Sequence, residues 1–440
     1  MYISKYNVDV FNDLGELIIY NSKDGTLIGL IEQEDMQEYL KLKSLQKIGH
    51  KSDLINCLYE EGFILDEQED MRNVFSELVA KREATDTLFI SILPTEDCNF
   101  RCVYCFEHFK RGAMNQDIQS GTINFIKKTL EKFGYRHLHI NWYGGEPLYS
   151  LNVIEKLSEE LMEYCHKNKI EYSSSITTNG YLLNSKVFAK LCEYKVLNYT
   201  VTLDGIKEEH DKTRVLKNGG STFDIIVKNL KNMKNSDIEF ELQLRQNYSS
   251  SALEKLDSFL LYYNNEFADD HRFKNVDLRP IFEYNGYNEG NYEECIINHN
   301  KFEGLERASN YRLFNKKLKF YIQPGGIVCN ASNPNYWMIG SDGKLMRCNI
   351  ELDTEERNIV GQIFRDNYEI YVGKLSKWLD AGKEDKTCMS CIFSPNCQGA
   401  FCAQKRFDNE REGVKEQPCP DEKYNLASIL KLVYKEIDYN

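Results

Sequence analysis

Between residues 87 and 282, six short apolar runs alternate with stretches whose apolar residues recur at helical spacing. No other feature constrains the fold as much. The runs are TLFISIL (87–93), HLHINWY (137–143), YSSSITT (172–178), NYTVTLD (198–204), EFELQLR (239–245) and NVDLRPIF (275–282). Segments such as VIEKLSEELMEYCHK and FDIIVKNLKNM between them read as amphipathic helices. Strands that alternate with helices join through right-handed crossovers into a parallel sheet. Six such units predict an α/β fold, an open partial (β/α)6 barrel. In such barrels chemistry gathers at the C-terminal ends of the strands.

The chain has 14 cysteines in 440 residues. Its first residues show no basic or apolar signal region, and no run approaches the length of a membrane span, which predicts a cytoplasmic protein without a membrane partner. A reducing cytosol does not preserve a disulfide framework, so the thiols point to metal or redox chemistry. The formal net charge of -13 argues against nucleic acid as a partner. Three cysteines lie at 98, 102 and 105, and seven more at 329, 348, 388, 391, 397, 402 and 419. Cys57, Cys165, Cys192 and Cys295 sit in apolar, mostly helical contexts and read as buried, inert thiols.

The spacing Cys98-x3-Cys102-x2-Cys105 puts three thiols on one loop directly after the first strand. A 4Fe-4S cluster held by three thiolates keeps one iron open to an external ligand. A zinc loop is the alternative, with His108 as the nearby fourth ligand. The loop resembles the defining motif of the radical S-adenosylmethionine (SAM) superfamily, including the aromatic Tyr104 before its last cysteine. Further segments resemble family elements in the same order along the chain. Gly144-Gly145-Glu146-Pro147 resembles the GGEP motif, in which backbone and glutamate hold the SAM amino group. Thr178-Asn179-Gly180 and Thr202-Leu203-Asp204-Gly205 resemble the segments that line the ribose, and either Arg214 or Arg245 is expected to pair with the SAM carboxylate.

The tail, with Cys388-x2-Cys391-x5-Cys397-x4-Cys402, resembles the SPASM extension that binds two auxiliary 4Fe-4S clusters. The family usually has three residues between the third and fourth of these cysteines, where this chain has four. A zinc ribbon is the alternative for these middle cysteines. The resemblance implies an outer cluster on Cys388, Cys391, Cys397 and Cys419, and an inner one on Cys329, Cys348 and Cys402. No cysteine lies between 329 and 348, so one inner iron is open unless Cys295 or a non-cysteine side chain closes it. Three 4Fe-4S clusters and SAM are thus the expected cofactors, with flavodoxin or ferredoxin as electron donor.

The first 85 residues carry nine Lys and Arg against seventeen Asp and Glu. A hairpin turning at Lys23-Asp24-Gly25, followed by helical patterns, resembles the winged-helix-like element with which peptide maturases bind a precursor's leader. The expected domains are 1–85 for precursor recognition, 86–310 for the barrel and 311–440 for the cysteine-rich domain. The resemblance implies a maturase of ribosomally made peptides that forms a thioether from sulfur to carbon. Carbon-carbon or carbon-oxygen linkage is the alternative. Anaerobic sulfatase maturation ranks below both, because those enzymes place an aspartate where this chain has Asn349. A non-catalytic iron-sulfur or zinc scaffold is the reading from another class.

Overall fold

In the computed structural model, which describes residues 1–45, 47–281, 302–352, 356–415 and 418–438, the N-terminal segment forms an antiparallel meander where a single hairpin was expected. After the short β1 (Tyr2–Ile3) come β2 (Asn7–Phe11), β3 (Leu17–Asn21) and β4 (Leu27–Leu30), ordered β2-β3-β4. The extra turn is made by Asn12, whose side-chain oxygen accepts from Leu14 N and Glu16 N, both at 3.0 Å. The expected turn joins β3 to β4, with Gly25 at φ +83°. β3 is buried along its whole length. Leu17 and Ile19 pack with the helices Gln33–Leu42 and Asp53–Glu60, and the helix Leu426–Asp438 also packs on the strand. β5 (Ile64–Leu65) pairs with β1. Cys57 is exposed, contrary to its reading as a buried thiol. Its helix turns Leu54, Ile55 and Leu58 to the core, and Cys57 lies off that stripe.

The chain divides into two compact units. One comprises residues 1–85, 316–334 and 377–440; the other comprises 86–315 and 335–376.

The second unit holds a ten-stranded sheet. Its parallel part is β6 (Thr87–Ile92), β7 (His137–Trp142), β8 (Glu171–Thr178), β9 (Val196–Thr202), β10 (Glu241–Tyr248) and β11 (Asn275–Pro280), paired in sequence order. These are the six expected strands of the partial barrel. Beyond β6 the sheet continues with β12 (Tyr336–Ile339), parallel to β6, then antiparallel β13 (Lys344–Met346), β14 (Ile359–Ile363) and β15 (Tyr368–Ile370). Part of the cysteine-rich tail therefore extends the barrel sheet. On β7, buried Leu138, Ile140 and Trp142 alternate with half-buried His137, His139 and Asn141. Asn141 donates to Ser91 Oγ at 3.2 Å and accepts from Ser175 Oγ at 3.1 Å, so this face is polar from strand to strand. Among the described residues, no helix is long and apolar enough to cross a membrane.

Candidate active site

The loop after β6 carries Cys98, Cys102 and Cys105, and its shape is fixed by its own backbone. Arg101 N donates to Val215 O (2.9 Å), Val103 N to Thr213 O (3.0 Å) and Lys217 N to Asn99 O (2.8 Å), forming a ribbon with residues 213–217. The Arg101 guanidinium donates to the carbonyls of Cys98 (2.7 Å) and Phe100 (2.6 Å) and stacks 4.0 Å from the Phe109 ring. The three thiols stand on the wall of a cleft of about 360 Å³. Burial, with the Glu146 charge second, pushes the Cys98 thiol up to about 12. Burial also raises Cys102 and Cys105. A metal cluster reverses that preference, because its positive irons hold the sulfurs as thiolates.

Gly144 and Gly145 close in on this loop from the end of β7. A Cβ on Gly145 would lie 2.4 Å from Asp97 O, and one on Gly144, at φ +115°, would lie 2.6 Å from Thr95 O. Only glycine permits that approach. Glu146, expected to hold the SAM amino group, is fully buried. Its carboxylate accepts from Thr178 Oγ1 (2.7 Å), Asn179 N (2.7 Å) and Leu148 N (3.1 Å), while its own N–H donates to Asp97 O (3.0 Å). This geometry makes Glu146 a junction between the loops after β6, β7 and β8. Burial raises its carboxyl, and the donors and Arg214 pull it back. Pro147 is likewise buried.

Thr178, Asn179 and Thr202 do line the cleft. Asn179 reaches the cysteine loop, donating to Asn99 Oδ1 at 2.8 Å. Asp204 lies behind the wall, accepting from Tyr104 OH and from Asn247 N at 2.9 Å. Tyr104 in turn accepts from Arg214 Nη1 (2.7 Å) and Asn247 Nδ2 (3.1 Å). A phenol, a carboxylate, a guanidinium and an amide thus lock the last cysteine's neighbour to β9 and β10. Arg214 Nε is buried without a partner among the described residues. An anionic group in the cleft would satisfy it. Arg245 pairs with buried Asp277 at 3.1 Å and also faces the cleft.

Several lining residues escaped sequence reading, among them Arg279, which also pairs with Asp277 at 3.0 Å, Phe106 and Ile350; Asn349, read only as the counterpart of a maturase aspartate, lines the cleft as well. The alternation Asp277-x-Arg279 on a predicted strand was the available signal for the first. The cleft therefore fits a three-thiolate cluster with a polar, carboxylate-bearing ligand beside it.

In the other unit, Cys397 lies close enough to Cys388, Cys391 and Cys419 for their charges to raise its thiol, after burial, to about 12. Two cations point at these sulfurs. Arg406 Nη2 is 3.4 Å from Cys388 Sγ and Lys423 Nζ is 3.5 Å from Cys419 Sγ. Cations beside two of these sulfurs fit thiols that would be held as thiolates. Among the described residues, no group of three or more His, Cys, Asp or Glu side chains stands in an arrangement that could already hold a metal ion. Cys329 and Cys402 belong to this unit, whereas Cys348 belongs to the barrel unit. Cys295 lies outside the described residues.

Residues 92–242 match the Radical SAM superfamily. The radical SAM cyclopropyl synthase TigE of Paramaledivibacter caminithermalis is 27% identical over 406 residues, covering 81% of this chain and 78% of that one. The cysteine-type anaerobic sulfatase-maturating enzyme of Clostridium novyi is 24% identical over 349 residues, covering 73% and 89%. Among solved structures, native anSMEcpe with bound AdoMet and Cp18Cys peptide superposes with a TM-score of 0.55 at 18% identity, covering 79% of this chain and 99% of that one.

Proposed function

With a radical SAM domain over residues 92–242, the chain is a radical SAM enzyme, and from that premise we propose that it modifies a precursor peptide by hydrogen abstraction, joining a cysteine sulfur to a carbon. The observation that carries the chemistry is a cleft of about 360 Å³ whose lining brings Cys98, Cys102 and Cys105 together with Asn179, Thr202 and Arg245. Cys98, Cys102 and Cys105 would hold a 4Fe-4S cluster there, which together with SAM would supply the reductive radical chemistry for hydrogen abstraction. This chain's residues do the positioning. Gly144 and Gly145 present backbone to the ligand, Thr178, Asn179 and Thr202 provide hydroxyl and amide partners, and Arg214 and Arg245 face its carboxylate. Tyr104 and Asp204 hold Arg214 in place.

Two relatives support a peptide or protein substrate: a sulfatase-maturating enzyme, and a solved neighbour that carries a bound peptide. The meander supports a leader-binding role for residues 1–85. Among the described residues neither β2 nor β4 has a second strand partner, so an extended peptide can add to either edge. The lack of a cysteine between 329 and 348 supports the thioether reading, since an iron without a fourth protein ligand would be open to a substrate thiolate. Flavodoxin or ferredoxin supplies the electron. A second reading, carbon-carbon closure, is favoured by the likeness to a cyclopropyl synthase over 81% of this chain.

The test is a precursor incubated with reduced enzyme and SAM, beside the same peptide with every Cys changed to Ser. Loss of two hydrogens by the Cys peptide alone is the expected result. Equal loss by both peptides overturns the thioether in favour of the second reading. No mass change in either, with SAM cleaved, overturns the peptide assignment.

A further inference from the structure

The N-terminal meander reaches into the four-cysteine site of its own unit. Tyr20, fully buried at the end of β3, donates its phenol hydrogen to Ile322 O at 2.7 Å and accepts from Asn396 Nδ2, also at 2.7 Å. Asn396 is fully buried too, and immediately precedes Cys397. Two residues beyond Tyr20, the fully buried Ser22 donates to Ile392 O at 2.6 Å, and Ile392 immediately follows Cys391. One strand end thus grips the backbone beside one cysteine and the side chain beside another, across more than 360 residues of sequence.

The neighbouring segment tightens the same grip. Asn396 Nδ2 also donates to Tyr321 O at 3.0 Å, Ile327 N donates to Asn396 O at 3.0 Å, and Gly325 N donates to Pro395 O at 2.8 Å. Around these bonds Ile327, Phe393 and Cys397 form one apolar cluster with Tyr321 and Cys391 packed against it. The helix Met71–Glu83 packs against both short helices that carry Cys388 and Cys397. A segment that only docked a peptide would have no need of polar side chains buried beside thiols.

We propose that Tyr20 and Ser22 are positioning residues for the Cys388, Cys391, Cys397 and Cys419 site, so that residues 1–85 form a wall of the outer cluster. The proposal rests on the reading that these four thiols hold an iron-sulfur cluster. Tyr20 fixes Asn396, and through it the entry of Cys397. Ser22 fixes the peptide after Cys391. Removing both hydroxyls leaves all four thiols in the chain but frees the backbone that spaces them. A site spaced less accurately gives up its iron faster and sits in an altered hydrogen-bonded environment, which shifts its potential.

The experiment uses the full-length chain, reconstituted anaerobically, as wild type, Tyr20→Phe with Ser22→Ala, and Asp9→Asn. Asp9, on β2, accepts from Tyr39 OH of the helix Gln33–Leu42 at 2.9 Å, so it controls for general weakening of the segment. Iron release to a chelator and the paramagnetic resonance of the reduced protein are followed, with SAM added to mark the barrel cluster by its spectral change. The double variant is expected to release the tail's share of the iron at least several-fold faster and to shift the resonance that SAM does not perturb. Wild-type release and an unshifted resonance would overturn the proposal, as would an equal effect of Asp9→Asn. If the double variant does not fold, Ser22→Ala alone carries the same expectation with a smaller change. A Cys388→Ala, Cys391→Ala protein that keeps the full iron content would instead defeat the cluster reading on which the proposal stands.

Discussion

Each buried polar residue around the cleft has its protonation state set by its partners, and His210 shows this most plainly. Its Nδ1 accepts from Asp204 N at 3.0 Å, so the ring hydrogen lies on Nε2 and points to Thr222 Oγ1 at 3.0 Å. Thr222 passes its own hydrogen to Arg214 O at 2.6 Å. A protonated ring would set N–H against N–H at Asp204, and burial with the nearby Arg214 charge holds His210 well below its ordinary range. Its folded value therefore lies below the unfolded value of about 6.5. The unfolded chain takes up a proton that the folded one refuses, so this contribution is complete above about pH 6.5 and is lost as pH falls below it. Unfolding measured between pH 7 and pH 5 should show a slope of up to about 1.4 kcal/mol per pH unit from this residue. His210→Gln, which can still accept and donate, should flatten that slope. Glu146 makes a second case. Glu146→Gln turns an amide group toward three hydrogen donors and should cost about 1–3 kcal/mol in thermal stability, together with loss of SAM affinity by equilibrium binding.

At the scale of elements, the loops after the strands matter more than the strands. The turn of Gly144 and Gly145 is packed on backbone carbonyls at Thr95, Glu96 and Asp97, which cannot swing aside as a flexible side chain would. Gly145→Ala should therefore displace the loop bearing Cys98 from the one bearing Asn179. The expected outcome is retained iron with loss of the SAM-dependent spectral change, read on the same sample. The six parallel strands were legible because each apolar run is bounded by turn residues and followed by a helical period. Residues 335–376 were not legible as part of the barrel sheet, because YWMI and KLM are too short for a period to show. Glu146 was legible as a motif residue yet not in its contacts. Sequence order does not reveal that Thr178 and Asn179, more than thirty residues later, would take up its oxygens. The turn at Asn12 went unread because the Asp24-Gly25 signal dominated its surroundings.

At the scale of the whole chain, the two compact units separate Cys98, Cys102 and Cys105 from Cys388, Cys391, Cys397 and Cys419, and these two groups should respond independently. Replacing Cys98, Cys102 and Cys105 with Ala should abolish SAM cleavage while leaving tail-bound iron, because Cys388, Cys391, Cys397 and Cys419 all lie in the unit that contains none of those three. Iron counting beside a 5'-deoxyadenosine assay checks this, and loss of all iron would refute it. Deleting residues 1–85 is a different matter, because those residues fold with 316–334 and 377–440. A truncated chain loses Tyr20 and Ser22 and bares the helix Leu426–Asp438, whose Tyr434 lies so close to Gly29 that a Cβ there would collide. That helix has a strongly one-sided apolar face and would meet water along it. The truncation is therefore expected to lower tail iron and solubility along with leader-peptide binding, with the barrel's own iron least affected. The measurements are iron per chain, leader affinity by fluorescence anisotropy, and SAM cleavage on one preparation. Selective loss of leader binding with tail iron intact would show that residues 1–85 act as a detachable peptide-binding module after all.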